Sequence, residues 1–135
     1  MKRFQDKVVV ITGAASGIGE ATAREMASEG AKVIIADYAK EKADRLADEL
    51  RANGADVKSI YFSANDLDSC RQLISVSQIS YGHIDVLVNN VGGSDLALDR
   101  DIETLDISYF DEVFHFNIRC AMYLIQLVLP LMSEH

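Results

Sequence analysis

Little in this chain suggests a covalent or metal framework. Its 135 residues include two cysteines, Cys70 and Cys120, too few and too far apart for a disulfide scaffold. They read instead as reduced, partly buried thiols of a cytosolic protein. His83, His115 and His135 pair with neither cysteines nor carboxylates at ligand spacing, so no metal site is expected. Basic charge is also short. Thirteen Lys and Arg against 21 Asp and Glu leave a net charge of −8, which disfavours nucleic acid and anionic membranes as partners. The apolar run after Lys7 stops at Thr12-Gly13, too soon for a signal-peptide core. Residues 118–132 carry Arg119, Gln126 and Pro130 and make a poor transmembrane candidate. No internal repeat, low-complexity tract or linker interrupts the chain. What remains is at most one modest cytoplasmic domain, long enough to bury a core, with an ordinary 49% hydrophobic and 25% charged content.

Four short runs rich in Val and Ile, residues 8–11, 33–36, 57–62 and 84–88, show little polar alternation. Strands of that kind are buried on both faces, as in parallel sheets. Between them, Ala43, Leu46, Ala47 and Leu50 follow helical spacing, as do Cys70, Leu73, Ile74, Ser77 and Tyr81. Gly30, Gly54 and Gly82 punctuate the helix ends. The alternation predicts a doubly wound parallel α/β sheet. In the last helix, Ser108 with Asp111 predicts an N-terminal cap, and helical spacing continues to about residue 129. One apolar stripe holds Phe110, Val113, Phe114, Ala121, Leu124, Ile125 and Val128. A second holds Phe116, Cys120, Tyr123, Leu127 and Leu131. A helix apolar on two sides needs two partners: another subunit, a further part of the chain, or the interior of a larger monomer.

The segment richest in chemistry runs Thr12-Gly13-Ala14-Ala15-Ser16-Gly17-Ile18-Gly19, between the first strand and the first helix. Its spacing, Gly-x-x-x-Gly-x-Gly, differs from the Gly-x-Gly-x-x-Gly fingerprint but serves the same physics. Gly13 permits a sharp exit from the strand, Gly17 lets backbone approach a pyrophosphate, and Gly19 lets the helix pack closely on the sheet. No Lys-Ser or Lys-Thr follows the glycines, which excludes a Walker loop. Asp37 ends the second strand, placed to accept hydrogen bonds from a ribose diol and to repel a 2′-phosphate. Ala14, Ala15 and Tyr38 supply no cation beside it, so NAD is expected over NADP. Asn117 falls on the stripe of Val113 and Leu124 with its amide inward, where an unpaired amide would cost about 1–3 kcal/mol.

Residues 12–19, Asp37, Asp66-Leu67, Asn89-Asn90-Val91-Gly92 and Asn117, in that order and spacing, resemble the short-chain dehydrogenase/reductase family. The resemblance spans residues 7–132. It implies a Rossmann fold with strand order 3-2-1-4, truncated, so that residues 1–135 form an incomplete NAD(P)-binding domain. It also assigns roles. Gly13, Ser16, Gly17, Ile18 and Gly19 would line the dinucleotide phosphates, Asp37 the adenosine ribose, and Asp66 and Leu67 the adenine. Asn89 would stabilise the central strands, and Asn90 and Gly92 would lie along the cofactor, with Val91 in place of the usual alanine. Asn117 matches the family's catalytic asparagine, which kinks its helix and holds a water in a proton relay. The family's catalytic serine and Tyr-x-x-x-Lys would follow His135, whereas Tyr38 with Lys42 reads as a coincidence at the adenosine end. The expected activity is NAD-dependent hydride transfer between nicotinamide and a small-molecule secondary alcohol or ketone. Residues 93–99 are this chain's contribution to the substrate site, and the fragment alone is expected to be inactive. The alternative is a non-catalytic dinucleotide-binding fragment or truncated gene product. The resemblance further implies a homodimer or homotetramer built through the final helix.

Overall fold

A computed structural model describes residues 1–132; the chain end at His135 lies outside the described residues. Strands β1 (Val8–Thr12), β2 (Lys32–Asp37), β3 (Val57–Tyr61) and β4 (Val86–Val88) form one parallel sheet in the order β3-β2-β1-β4. Helices α1 (Gly17–Ser28), α2 (Lys40–Ala52) and α3 (Leu67–Tyr81) alternate with them. A final rod follows, made of α4 (Ile107–Phe114), a π-helical turn (His115–Arg119) and α5 (Cys120–Met132). The expected sheet order is therefore the observed one. Every residue of β1 is buried, because this central strand has neighbours on both edges and helices on both faces.

Side-chain alternation sorts the sheet into two cores. Val9, Ile11, Val33, Ile35 and Val57 pack with Ala23 and Ala27 of α1 and Leu46 and Leu50 of α2. Val8, Val10, Ile34 and Ala36 pack with Leu73 and Ile74 of α3 and with Leu124 and Val128 of α5. Gly30, Gly54 and Gly82 follow the ends of α1, α2 and α3, all with positive φ, as their spacing suggested.

The outer strands depart from the expected double burial. β3 is only partly covered and exposes Lys58 and Tyr61, because its free edge has no strand beside it. β4 begins at Val86 rather than at residue 84. Asp85 Oδ2 accepts the Val8 N–H at 2.8 Å while the Asp85 N–H donates to the Val8 carbonyl, a clamp that precedes the ladder. Lys7 and His83 flank the same carboxylate. Burial alone would raise the Asp85 pKa, but the Val8 N–H together with His83 and Lys7 outweighs it and holds the carboxyl below its usual range.

The final rod differs from its sequence reading in two ways. Asp106, not Ser108, is the cap: its carboxylate accepts from the Ser108 N–H at 2.7 Å and from the Ser108 hydroxyl, which puts Ser108 inside the first turn. The two apolar stripes are also divided differently. Cys120, Leu124 and Val128 are buried against the body, with Phe116, Tyr123, Leu127 and Leu131 beside them. Phe110, Phe114, Ile118, Met122, Ile125 and Leu129 stay 44–55% exposed on the other side. By length and composition the rod Ile107–Met132 could cross a membrane, yet its middle is part of the second core.

Candidate functional site

At the carboxyl ends of β1, β2 and β4 the chain turns away from the sheet and leaves a cleft of about 400 Å³. Gly13, Ser16, Ile18, Asp37, Tyr38, Phe62, Ala64, Asn90, Val91, Gly92 and Phe116 line it. A crevice at this edge is where open α/β sheets bind ligands. The glycine loop forms its floor. Gly17 has φ +56 and nothing within 4 Å of where a Cβ would sit, so the backbone there is open to a close-lying ligand. At Gly19 a Cβ would lie 2.2 Å from the Gly13 carbonyl oxygen, so only hydrogen fits where α1 meets the strand exit. Ser16 occupies the N-cap position of α1 but makes no side-chain capping bond, which leaves its hydroxyl free in the cleft. The first-turn amides of α1 have no partner within the helix and carry the positive end of its dipole. Ile18 projects 80% exposed beside them. This cradle fits a dinucleotide pyrophosphate.

Asp37 is held rather than mobile. Its Oδ2 accepts from the Ala15 N–H at 2.9 Å and its Oδ1 from the Ala39 N–H at 2.8 Å. Each oxygen keeps capacity for a further donor. The sequence neighbours supply no cation, but the fold brings Lys42 and Arg45 to a separate hollow beside Ala15, Ser16 and Gly17. Sequence reasoning missed this pair because the packing of α2 beside the loop, not adjacency in the chain, places them there.

Asn90 and Thr12 stitch the floor together. Asn90 Nδ2 donates to the Thr12 and Gly13 carbonyls, both at 3.1 Å, and Thr12 Oγ1 accepts from the Asn90 and Val91 N–H groups. The strand-stabilising role expected of Asn89 therefore belongs to Asn90, while Asn89 is exposed. Thr12, 1% exposed, was unassigned in the sequence, although a polar residue closing an all-apolar strand was its signal.

Asp66 and Leu67, expected beside the adenine, lie at the start of α3. Asp66 caps α3 by accepting the Asp68 N–H at 2.9 Å, and Leu67 is the first residue of that helix. Phe62 and Ala64, between the end of β3 and Asp66, line the cleft on this side.

Asn117 sits on the π-helical turn at the far end of the cleft. Its Oδ1 accepts from the Gly93 N–H at 2.7 Å, and its Nδ2 donates to the Gly93 carbonyl at 2.8 Å and to the Val113 carbonyl at 2.9 Å. Capture of the Val113 carbonyl, four residues back, competes with the ordinary helical bond and accounts for the π turn. Both amide protons are engaged, so the side chain acts as a clamp on the loop after β4. A Cβ at Gly92 would lie 2.9 Å from Asn117 Oδ1, so a side chain there would push the Asn117 amide from its place. A second hollow of about 400 Å³ continues past Gly92 and Phe116 and is walled by Ser94, Asp95, Tyr109, Glu112 and Val113. Tyr38 meets Tyr61, with ring centroids 5.6 Å apart, at the opposite end of the cleft, far from Asn117's clamp in the chain's layout of strand ends.

The family profile for short chain dehydrogenases matches residues 7–135. This chain belongs to the short-chain dehydrogenase family. A 7alpha-hydroxysteroid dehydrogenase from Bacteroides fragilis is 59% identical over 133 residues, covering 98% of this chain and 51% of that protein. A 7alpha-hydroxysteroid dehydrogenase from Clostridium sardiniense is 30% identical over 134 residues, covering 99% and 51%. Among solved structures, a protein from Burkholderia xenovorans described as a short-chain dehydrogenase/reductase superposes with TM-score 0.90 at 31% identity, covering 99% of this chain and 54% of that one. The chain thus spans about half the length of the curated relatives it matches. Short-chain dehydrogenases are oxidoreductases that use nicotinamide dinucleotides, and the glycine cradle, Ser16 and Asp37 fit such a group.

Proposed function

We propose that the intact protein is an NAD-dependent oxidoreductase acting on a secondary alcohol or its ketone, and that this alcohol is a hydroxysteroid. The observation that carries the cofactor reading is Asp37, fixed by two backbone N–H groups at the rim of the cleft. A fixed carboxylate accepts from both hydroxyls of a ribose and repels a 2′-phosphate at short range. Ser16, the α1 amides and the open backbone at Gly17 bind the pyrophosphate; Phe62 and Ala64 flank the adenine. The nicotinamide, when bound, supplies the hydride acceptor or donor. Asn117 positions the Gly92-Gly93 loop against which the reacting end lies. The steroid reading is supported by the two hydroxysteroid dehydrogenases among the relatives, one at 59% identity. The partly apolar hollow walled by Tyr109, Val113 and Phe116 suits a bulky hydrocarbon substrate.

The protein is proposed to be cytoplasmic and to assemble as a homodimer or homotetramer through the exposed apolar side of the final rod. Its net charge of −8 suits neither nucleic acid nor an anionic membrane.

Steady-state kinetics on the full-length protein test the reading, with a 7α-hydroxysteroid and either NAD or NADP. The expected kcat/KM favours NAD by on the order of 100-fold, and Asp37→Ser reduces that preference. A preference for NADP, seated on Lys42 and Arg45, would overturn the cofactor assignment. Tight NAD binding without steroid turnover would overturn the substrate alone.

A further inference from the structure

Tyr109 is a buried residue on a largely exposed helix. It alone among the eight residues of α4 is buried, at 8% exposure. A tyrosine sunk that far needs partners for its hydroxyl. Both come from one residue of the loop after β4: Tyr109 Oη accepts from the Asp95 N–H at 2.7 Å and donates to the Asp95 carbonyl at 3.2 Å. Asp95 in turn organises the segment that follows it. Its Oδ1 accepts from the Ala97 N–H at 2.9 Å, and its carbonyl accepts from the Leu98 and Asp99 N–H groups, both at 2.9 Å. Among the described residues, the other hydrogen bonds of residues 94–100 stay inside that segment. One hydroxyl therefore ties the 95–99 turn to the body of the protein. The arrangement repeats the Asn117 clamp two residues further along. Asn117 holds Gly93 by its N–H and its carbonyl, and Tyr109 holds Asp95 by the same two groups. Ser94 lies between the two held residues and lines the hollow with Asp95 and Tyr109.

We propose that Tyr109 is a positioning residue that sets substrate selectivity: through Asp95 it latches the 95–99 turn beside the hollow and so fixes the wall that a bulky secondary alcohol meets. This rests on the reading of that hollow as the substrate end. Asn117 and Tyr109 divide the work. Asn117 fixes Gly93, next to Gly92, where the cofactor cleft and the hollow meet, and Tyr109 fixes the loop two residues further on. The turn carries Leu96 and Leu98, 84% and 50% exposed, apolar surface for a hydrocarbon substrate to cover. Loss of the hydroxyl frees the turn without opening a cavity, because the ring stays in place and the Asp95 groups pass to water. A bulky substrate must then order the turn as it binds, so the loss falls on affinity rather than on the chemical step.

Tyr109→Phe in the full-length protein tests this, with Tyr123→Phe as its control. The Tyr123 hydroxyl also accepts a bond on the final rod, from Arg71 at 2.8 Å, but Tyr123 does not line the hollow. In Tyr109→Phe, hydrogen exchange is expected to quicken by about 10-fold at the Asp95, Leu98 and Asp99 amides and to stay unchanged at Gly93. The KM for a 7α-hydroxysteroid rises by about 10-fold with kcat held within about twofold, while the KM for cyclohexanol and the Kd for NAD stay at wild-type values. Tyr123→Phe changes none of these. Unchanged exchange at Asp95 overturns the latch, and an unchanged steroid KM overturns its part in selectivity. A joint loss of kcat, steroid affinity and NAD affinity would mark Tyr109 as structural only and overturns the proposal too. Exchange is read without substrate. A wild-type protein that fails to oxidise the steroid therefore overturns the substrate reading alone, and exchange at Asp95 still upholds or overturns the latch.

Discussion

Gly19 and Gly17 separate packing from ligand access at the level of one hydrogen atom. A methyl group at Gly19 would meet the Gly13 carbonyl at 2.2 Å and Asn90 Nδ2 at 2.6 Å, and backbone cannot yield cheaply. Gly19→Ala is expected to destabilise the fold by about 1–3 kcal/mol through overpacking, measured by chemical denaturation. Gly17→Ala meets open space but must hold φ +56, at a cost of about 1–2 kcal/mol. Its larger effect is expected in nucleotide titrations, because the added methyl occupies the approach to the cradle. Equal effects of both variants on stability and on binding would refute this division. Asp85 shows electrostatics at the same scale. Its carboxyl is held below the ordinary value, so the ionised form stabilises the fold at pH above the unfolded pKa of about 3.9. That contribution is lost as pH falls through the lower folded value. Asp85→Asn should therefore be less stable at neutral pH by about 1–2 kcal/mol, with the gap closing in acid. Denaturation midpoints across that range check the sign.

Among the elements, the final rod is where sequence and structure diverge most. Its periodicity identified a long apolar helix, but not the π turn that moves the face of α5 relative to α4. The turn arises from one side chain bonded to Val113 and Gly93, a contact invisible to a periodicity argument. Asn117→Ala removes that clamp. The expected outcome is faster hydrogen exchange at the Gly93 amide and a kcat reduced by on the order of 100-fold in the full-length protein, with nucleotide affinity little changed. Unchanged exchange at Gly93 would show that the clamp is not what holds the loop. The cap was misplaced in the sequence: Ser108 with Asp111 was expected, but Asp106 supplies it because the helix starts one residue before the serine. The same applies to Asp66, recognised as functional and used to start α3.

At the scale of the molecule, the rod leaves Phe110, Phe114, Ile118, Met122, Ile125 and Leu129 in solvent on one side. The proposed dimer or tetramer would bury this apolar strip. Light scattering on the full-length protein should show a dimer or tetramer at micromolar concentration, and Phe114→Glu with Leu129→Glu should shift it towards monomer. A monomer at every concentration removes the assembly claim. The sequence by itself determined the sheet class, the glycine loop and the acid at the end of β2. Strand runs, tight turns and a strand-end carboxylate are local, fixed by hydrophobic pattern and backbone sterics over a few residues. Only the tertiary structure decided that Asn90 rather than Asn89 bonds β1, and that Phe62 and Ala64 wall the cleft. It alone brought Lys42 and Arg45 to the loop. Such meetings depend on how helices settle against a twisted sheet, and that is set by packing between residues distant in the chain.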